Sequence, residues 1–173
     1  MKRFLTAFLC AAALAFSQGP MRAPGFCLSD TNAQWRDLQD FRGKIVVLEF
    51  MQSTCPHCEA FTKVLSGVVK KYGDKVQVLS IALPNDTLPA LVQFVKSHNL
   101  PWPHLFDMGQ VAFSYVRQPN ISFPTVYLID GSGMIANHWE YGTFTKSIFE
   151  GDQLSREIDK LLPPAVPAAP KKK

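Results

Sequence analysis

The sequence predicts an α/β fold in which a central mixed β-sheet is flanked by helices. Two observations carry that prediction. From Ile45 to Tyr115, apolar runs of strand length alternate with segments whose apolar residues recur at helical spacing. Further on, Thr125 to Asp130 and Met134 to Glu140 flank the tight turn Gly131-Ser132-Gly133 of a hairpin. Alternating elements bring parallel strands and a late hairpin brings antiparallel ones, so the sheet is mixed and covered on both faces. A chain of 173 residues with 47% hydrophobic content suits one well-buried domain.

Taken in order, Phe26 to Leu28 and the region of Trp35 form an N-terminal β-hairpin around the turn-prone Ser29-Asp30-Thr31-Asn32, followed by a short turn through Leu38 and Phe41 to Gly43. Ile45-Val46-Val47-Leu48-Glu49-Phe50 reads as a central strand buried on both faces, apolar apart from one carboxylate. Phe61, Val64, Leu65, Val68 and Val69 then keep the i, i+3, i+4, i+7, i+8 spacing of an amphipathic helix that Gly73 can end. Val76 to Leu83 is the next strand, and Pro89 opens a helix carrying Leu91, Val92 and Val95 that stops at Asn99. His104 to Phe106 reads as a short strand and Val111 to Tyr115 as a short helix, so that an inserted helix and strand occupy the stretch between Leu83 and Phe123. After the late hairpin, a last helix from Asp152 to Leu162 turns Leu154, Ile158, Leu161 and Leu162 toward the core.

The two ends differ from the middle. Lys2 and Arg3 precede an apolar stretch from Phe4 to Phe16, and Ala15-Phe16-Ser17 places small residues where a peptidase would cut, so residues 1–17 read as an export signal. An uncleaved membrane anchor is the alternative, disfavoured because a bilayer span takes about 20 residues. Residues 18–162 then form the domain, and 163–173, rich in Pro and Ala with three terminal lysines, form a flexible tail. The formal charge of +4 belongs to these ends: Lys2, Arg3 and Lys171 to Lys173 account for five of the 18 basic residues, leaving 13 against 14 acidic ones. Without a concentrated basic face, nucleic acid is excluded as a partner.

Between strand and helix stands Cys55-Pro56-His57-Cys58, two thiols one helical turn apart. A Cys55 that caps the helix sets its sulfur over free backbone N–H groups and the positive end of the helix dipole, which favours the attacking thiolate; Cys58, three residues on, faces the same way and can close a disulfide. A zinc half-site is the competing reading, but no second CxxC or paired His/Cys cluster exists to complete four ligands. A c-type haem would need His after the second cysteine, where Glu59 stands. The motifs therefore require neither a metal nor a cofactor.

With the order of elements, the CxxC at a strand-to-helix junction and Phe123-Pro124-Thr125 ahead of a strand, the chain resembles the thioredoxin fold. More narrowly it resembles the exported TlpA-like and ResA-like thiol-disulfide oxidoreductases of the redoxin branch. The resemblance runs from Ala23 to Leu162 and rests on Ala23-Pro24-Gly25-Phe26, Leu38 to Lys44, Glu49-Phe50, the CxxC, and Phe123 to Gly131. It implies a thioredoxin-like domain in which Cys55 attacks, Cys58 resolves, and Glu49 is a buried carboxylate beneath Cys58 that takes its proton. It also implies that Pro124 is the family's cis-proline and that the Phe123 backbone pairs with an extended substrate, so Pro124, Phe123, Pro56 and Thr54 make the expected substrate-binding surface. Thr54 departs from the Trp usual before the first cysteine and opens access to the site. Pro56-His57 is the dipeptide of DsbA, a strong disulfide donor, so His57 is expected to stabilise the Cys55 thiolate and make the disulfide more oxidising.

Each assignment has a plainer rival: His57 as an exposed spacer, Glu49 as a solvent-facing edge residue, Pro124 as an ordinary strand-opening proline. Cys27, flanked by Phe26 and Leu28, reads as a buried inert thiol, with a third redox cysteine as the sharper alternative. Cys10 lies in the signal and has no assigned role; His98, His104 and His138 read as surface or packing residues. The expected function is an exported, periplasmic or extracytoplasmic thiol-disulfide oxidoreductase acting on protein cysteines or disulfides with a membrane or soluble redox partner. A peroxiredoxin-like peroxidase ranks below it because Phe50 to Thr54 supplies no Pro before the nucleophile, and a copper chaperone ranks below it because that role uses wider cysteine spacing.

Overall fold

A computed structural model describes residues 21–118 and 120–163. The expected signal at 1–17, Cys10 and the tail from residue 164 lie outside the described residues. Strands β1 (Cys27–Ser29) and β2 (Trp35–Asp37) pair antiparallel as a separate ribbon, and a 3-10 turn (Leu38–Phe41), capped by the Asp37 carboxylate, leads out of it. The domain then runs β3 (Ile45–Met51), α1 (Pro56–Tyr72), β4 (Val76–Ala82), α2 (Leu88–His98), β5 (His104–Phe106), α3 (Gln110–Val116), β6 (Thr125–Ile129), β7 (Ile135–Glu140), α4 (Lys146–Glu150) and α5 (Gln153–Leu161). The main sheet has the order β5-β4-β3-β6-β7; β3 is parallel to β4 and β4 to β5, whereas β6 and β7 join antiparallel. This is the mixed, helix-flanked, thioredoxin-like arrangement expected.

All seven residues of β3 are buried because the strand lies mid-sheet with a packed layer on either side. Its side chains alternate. Ile45, Val47 and Met51 enter a core closed by α1, α2, α4 and α5, while Val46, Leu48 and Phe50 enter a second core closed by α3, the 3-10 turn and the N-terminal hairpin. By that alternation Glu49 belongs to the α1 face.

The helices stop where their sequences provide for it. Gly73 caps α1 at φ +53°, and Asn99, in the left-handed region at φ +50°, caps α2. At the start of α2, the Thr87 hydroxyl accepts from Ala90 N–H. The α2 residues that reach the core are Leu91 and Phe94, with Val92 and Val95 only half-buried.

Between Leu83 and Phe123 lie α2, β5 and α3, the helix, strand and short helix that the apolar spacing there predicts. Two expectations change. Helix α4 went unforeseen, since Lys146–Glu150 is too short to show periodicity; it forms because Ile148 and Phe149 bury against α1, with the Phe149 ring 5.1 Å from Phe61. Cys27 is exposed, not buried: Phe26 takes the inward position beside the ribbon, and strand alternation turns Cys27 out.

Phe61→Ala should cost about 3–5 kcal/mol by opening a cavity between α1 and α4. Urea unfolding would show the lower midpoint, and amide exchange would show α4 protected less than in wild type.

Candidate active site

The loop from β3 to α1 places the two cysteines at the C-terminal end of the central strand, and buried Asp86 holds that loop in place. Its carboxylate accepts from Ser53 N–H at 2.6 Å, from the Ser53 hydroxyl at 2.7 Å and from Thr87 N–H at 2.8 Å. Sequence reading passed over Asp86 because Asn85-Asp86-Thr87 looks like any polar turn after a strand. Only the fold brings it to Ser53, 33 positions away.

Cys55 stands at the N-cap of α1 with Pro56 as the first helical residue. Its sulfur does not cap the helix as expected; the thiol faces the Phe123 carbonyl at 3.8 Å. A thiol S–H can donate to a carbonyl oxygen, whereas a backbone N–H is itself a donor and offers it no acceptor. Cys58 is fully buried one turn on. Burial, and then the negative charge of Glu49 beside it, push the Cys58 thiol well above its ordinary value.

The Phe123-Pro124 peptide bond is cis, with Pro124 buried and Phe123 partly buried against the core. The Pro124 carbonyl accepts from Tyr141 N–H at 3.0 Å. The Tyr141 ring in turn stacks on exposed His57, centroids 4.1 Å apart at 22°, while its hydroxyl donates to Glu150 at 3.0 Å. Thr54 and Pro56 are exposed on the rim beside Cys55.

Glu49 lies on the α1 face at 2% exposure, which removes the edge-residue reading. The Ser80 hydroxyl donates to its Oε2 at 2.5 Å, and its Oε1 has no hydrogen-bond partner. Burial raises the carboxyl to about 7, with the Ser80 bond opposing the rise. Ser80 also accepts from Trp102 Nε1–H at 2.9 Å. Neither Ser80 nor Trp102 was singled out, since only the β3/β4 register reveals that Ser80 stands beside Glu49.

The histidines fall where expected. His98 pairs with Glu59 at 3.2 Å, His138 stacks on Tyr127, and His104 is buried, donating through Nδ1 to the Trp102 carbonyl at 2.9 Å. Among the described residues no group of three or more His, Cys, Asp or Glu side chains is placed to hold a metal ion.

A dithiol at the junction of the central strand and α1, facing the carbonyl that precedes a cis-proline, defines a thioredoxin-like protein with paired thiols. Comparison with known proteins agrees. Residues 21–138 match the AhpC/TSA family model. The thiol-disulfide oxidoreductase ResA of Bacillus thuringiensis subsp. konkukian is 30% identical over 143 residues, covering 82% of this chain and 77% of that protein. The thioredoxin-like protein YneN of Bacillus subtilis is 29% identical over 136 residues, covering 77% of each. A putative thiol:disulfide interchange protein DsbE from Chlorobium tepidum superposes with a TM-score of 0.67 at 23% identity, covering 83% of this chain and 97% of that one, which speaks for the fold. The chain belongs to the AhpC/TSA family, and it is a thiol-disulfide oxidoreductase of the ResA type.

Two buried groups give the protein opposed responses to pH. Glu49, raised in the fold from 4.5 to about 7, contributes most below pH 4.5 and loses that contribution as pH rises through 7. His104, lowered by burial from 6.5 to about 4, contributes above pH 6.5 and loses that contribution as pH falls through 4. Each amounts to about 3 kcal/mol at full extent, and between pH 4.5 and 6.5 they nearly cancel. Relative to wild type, Glu49→Gln should therefore gain stability more steeply as pH rises across that window, and His104→Phe should lose it. Urea midpoints at pH 4.5, 5.5 and 6.5 read this directly, and parallel curves for the three proteins would refute it.

Proposed function

We propose that this protein is an extracytoplasmic enzyme that exchanges disulfides with cysteines of other polypeptides through Cys55 and Cys58. The observation that carries this reading is the position of the dithiol. A buried carboxylate lies below the second thiol, and the backbone next to a cis-proline faces the first.

In this reading Cys55 is the nucleophile. It attacks a substrate disulfide to give a mixed disulfide, or in the reverse direction a substrate thiolate attacks the Cys55–Cys58 bond. Cys58 resolves the mixed disulfide, but it is buried and its proton is held tightly, so it needs a base before it can attack. Glu49 supplies one, with an affinity for the proton matched to neutral pH by burial. Phe123 and Pro124 bind the substrate segment in strand fashion, with Thr54 and Pro56 on the rim. His57, held flat against Tyr141, favours the reduced form by stabilising the Cys55 thiolate, which raises the reduction potential. The N-terminal sequence at 1–17 supports export, and a membrane or soluble redox partner would restore the working state of the pair.

Insulin-disulfide turnover should fall to the uncatalysed rate in Cys55→Ser, while Cys58→Ser should accumulate a stable mixed disulfide with substrate. Equal turnover in wild type and Cys55→Ser would remove Cys55 from the mechanism, and rapid peroxide consumption without insulin turnover would favour a peroxidase. Equilibration with glutathione should place the pair between the values of about −270 mV for thioredoxin and about −120 mV for DsbA. His57→Ala should lower that potential by about 30 mV or more.

A further inference from the structure

The parallel register of β3 and β4 sets Glu49 beside Ser80, and that of β4 and β5 sets Ser80 beside His104. Paired residues in neighbouring strands point to the same face, so a carboxyl, a hydroxyl and an imidazole stand in one row on the α1 face. All three are buried. Trp102 lies along this row: its Nε1–H donates to Ser80 Oγ at 2.9 Å, its ring stacks on the His104 ring at 5.5 Å, and its carbonyl takes the His104 Nδ1 proton.

An indole nitrogen donates and never accepts. Ser80 Oγ is therefore the acceptor toward Trp102, and its own proton is free to go to Oε2 of Glu49 at 2.5 Å. That leaves Oε1 as the buried side-chain oxygen or nitrogen without a partner among the described residues. The two oxygens of one carboxyl are thereby made unequal. Oε2 faces a fixed donor, and a proton that binds the carboxylate goes to Oε1.

We propose that Ser80, aimed by the Trp102 indole, is a positioning residue that anchors Oε2 of Glu49 and makes Oε1 the atom through which this carboxyl exchanges its proton with the Cys58 thiol. The inference rests on Glu49 being the base of the resolving step. In that step Oε1 takes the proton of the Cys58 thiol, and the thiolate attacks Cys55 Sγ of the mixed disulfide. The bond between Cys55 and the substrate sulfur breaks, the substrate sulfur leaves with the electron pair and is protonated by solvent, and the Cys55–Cys58 bond forms. The dithiol is oxidised by two electrons and the substrate disulfide is reduced.

Few other groups act on this row. On α1 the titratable groups near Glu49 are Cys55 and Cys58; Tyr72, at the far end, is bound to Asp159 of α5. His98 at the end of α2 is held at the surface by Glu59, and β6 presents Val126 opposite Glu49. The anchoring hydroxyl is thus the polar contact of the carboxyl, and removing it makes the charged form harder to hold.

The test titrates Glu49 in the reduced full-length protein through the 13C shift of its carboxyl carbon, in wild type, Ser80→Ala, Ser80→Thr and Trp102→Phe. In parallel, the pH dependence of the resolving step is measured on protein carrying a thiol linked to Cys55. Ser80→Ala should move the Glu49 midpoint upward by about one pH unit and slow resolution about tenfold below that midpoint, because the lost bond favoured the charged form. Ser80→Thr keeps the hydroxyl and should restore both. Trp102→Phe should move the midpoint the same way by a smaller amount, and it decides the matter if Ser80→Ala does not fold. An unmoved midpoint in the folded variant overturns the proposal. A midpoint that moves in Ser80→Ala while the resolving rate keeps its profile in both Ser80→Ala and Glu49→Gln upholds the anchoring of the carboxyl but removes Glu49 as the base and overturns its proton exchange with Cys58. A rate whose pH dependence vanishes in Glu49→Gln but stays in place in Ser80→Ala keeps Glu49 as the base and overturns the role of Ser80.

Discussion

The structure depends on a carboxylate held in a place that water does not reach. Strand β3 is buried on both faces, and every other residue of it on the α1 side is apolar, so Glu49 lies in the same layer as Val47 and Met51. A charge there is costly, and a protein avoids that cost by shifting the group toward its neutral form. That shift is what brings a carboxyl, ordinarily ionised well below neutrality, to about 7 beside a buried thiol. Both groups retain protons for the same reason.

Around this pair the fold places two clamps. Asp86 ties the loop before the cysteines to the start of α2, satisfying Ser53 and Thr87 with one buried carboxylate. On the other side Tyr141 joins three parts of the site at once: its N–H holds the Pro124 carbonyl, its ring lies on His57, and its hydroxyl is bonded to Glu150. The thiols therefore sit between rigid neighbours. A site whose parts are already held by hydrogen bonds and stacking need not be reorganised when it is used.

Much of this was legible in the sequence, and the reasons differ by element. The central strand, α1 with its glycine stop and the late hairpin declare themselves through periodicity and turn residues, which are local properties. The dithiol declares itself by spacing. A lone acid in an apolar strand is conspicuous, and Glu49 is indeed buried. Where local signal was weak, the reading failed. Five residues of α4 show no period, and Cys27 lies in a three-residue strand whose inward face is decided by Phe26 beside it. The orientation of the Cys55 thiol depends on a carbonyl 68 positions away.

By itself the sequence determined the order of elements, the strand-to-helix setting of the two cysteines and the presence of one acid in the central strand, because each is written in neighbouring residues. The tertiary structure alone decided which side chains meet. The bond from Ser80 to Glu49, the indole that aims it, the Asp86 clamp and the stack of His57 on Tyr141 all join residues far apart in the chain. Such contacts follow from strand register and loop closure, and a register moved by one residue would turn Ser80 to the opposite face of the sheet and leave Glu49 without its donor.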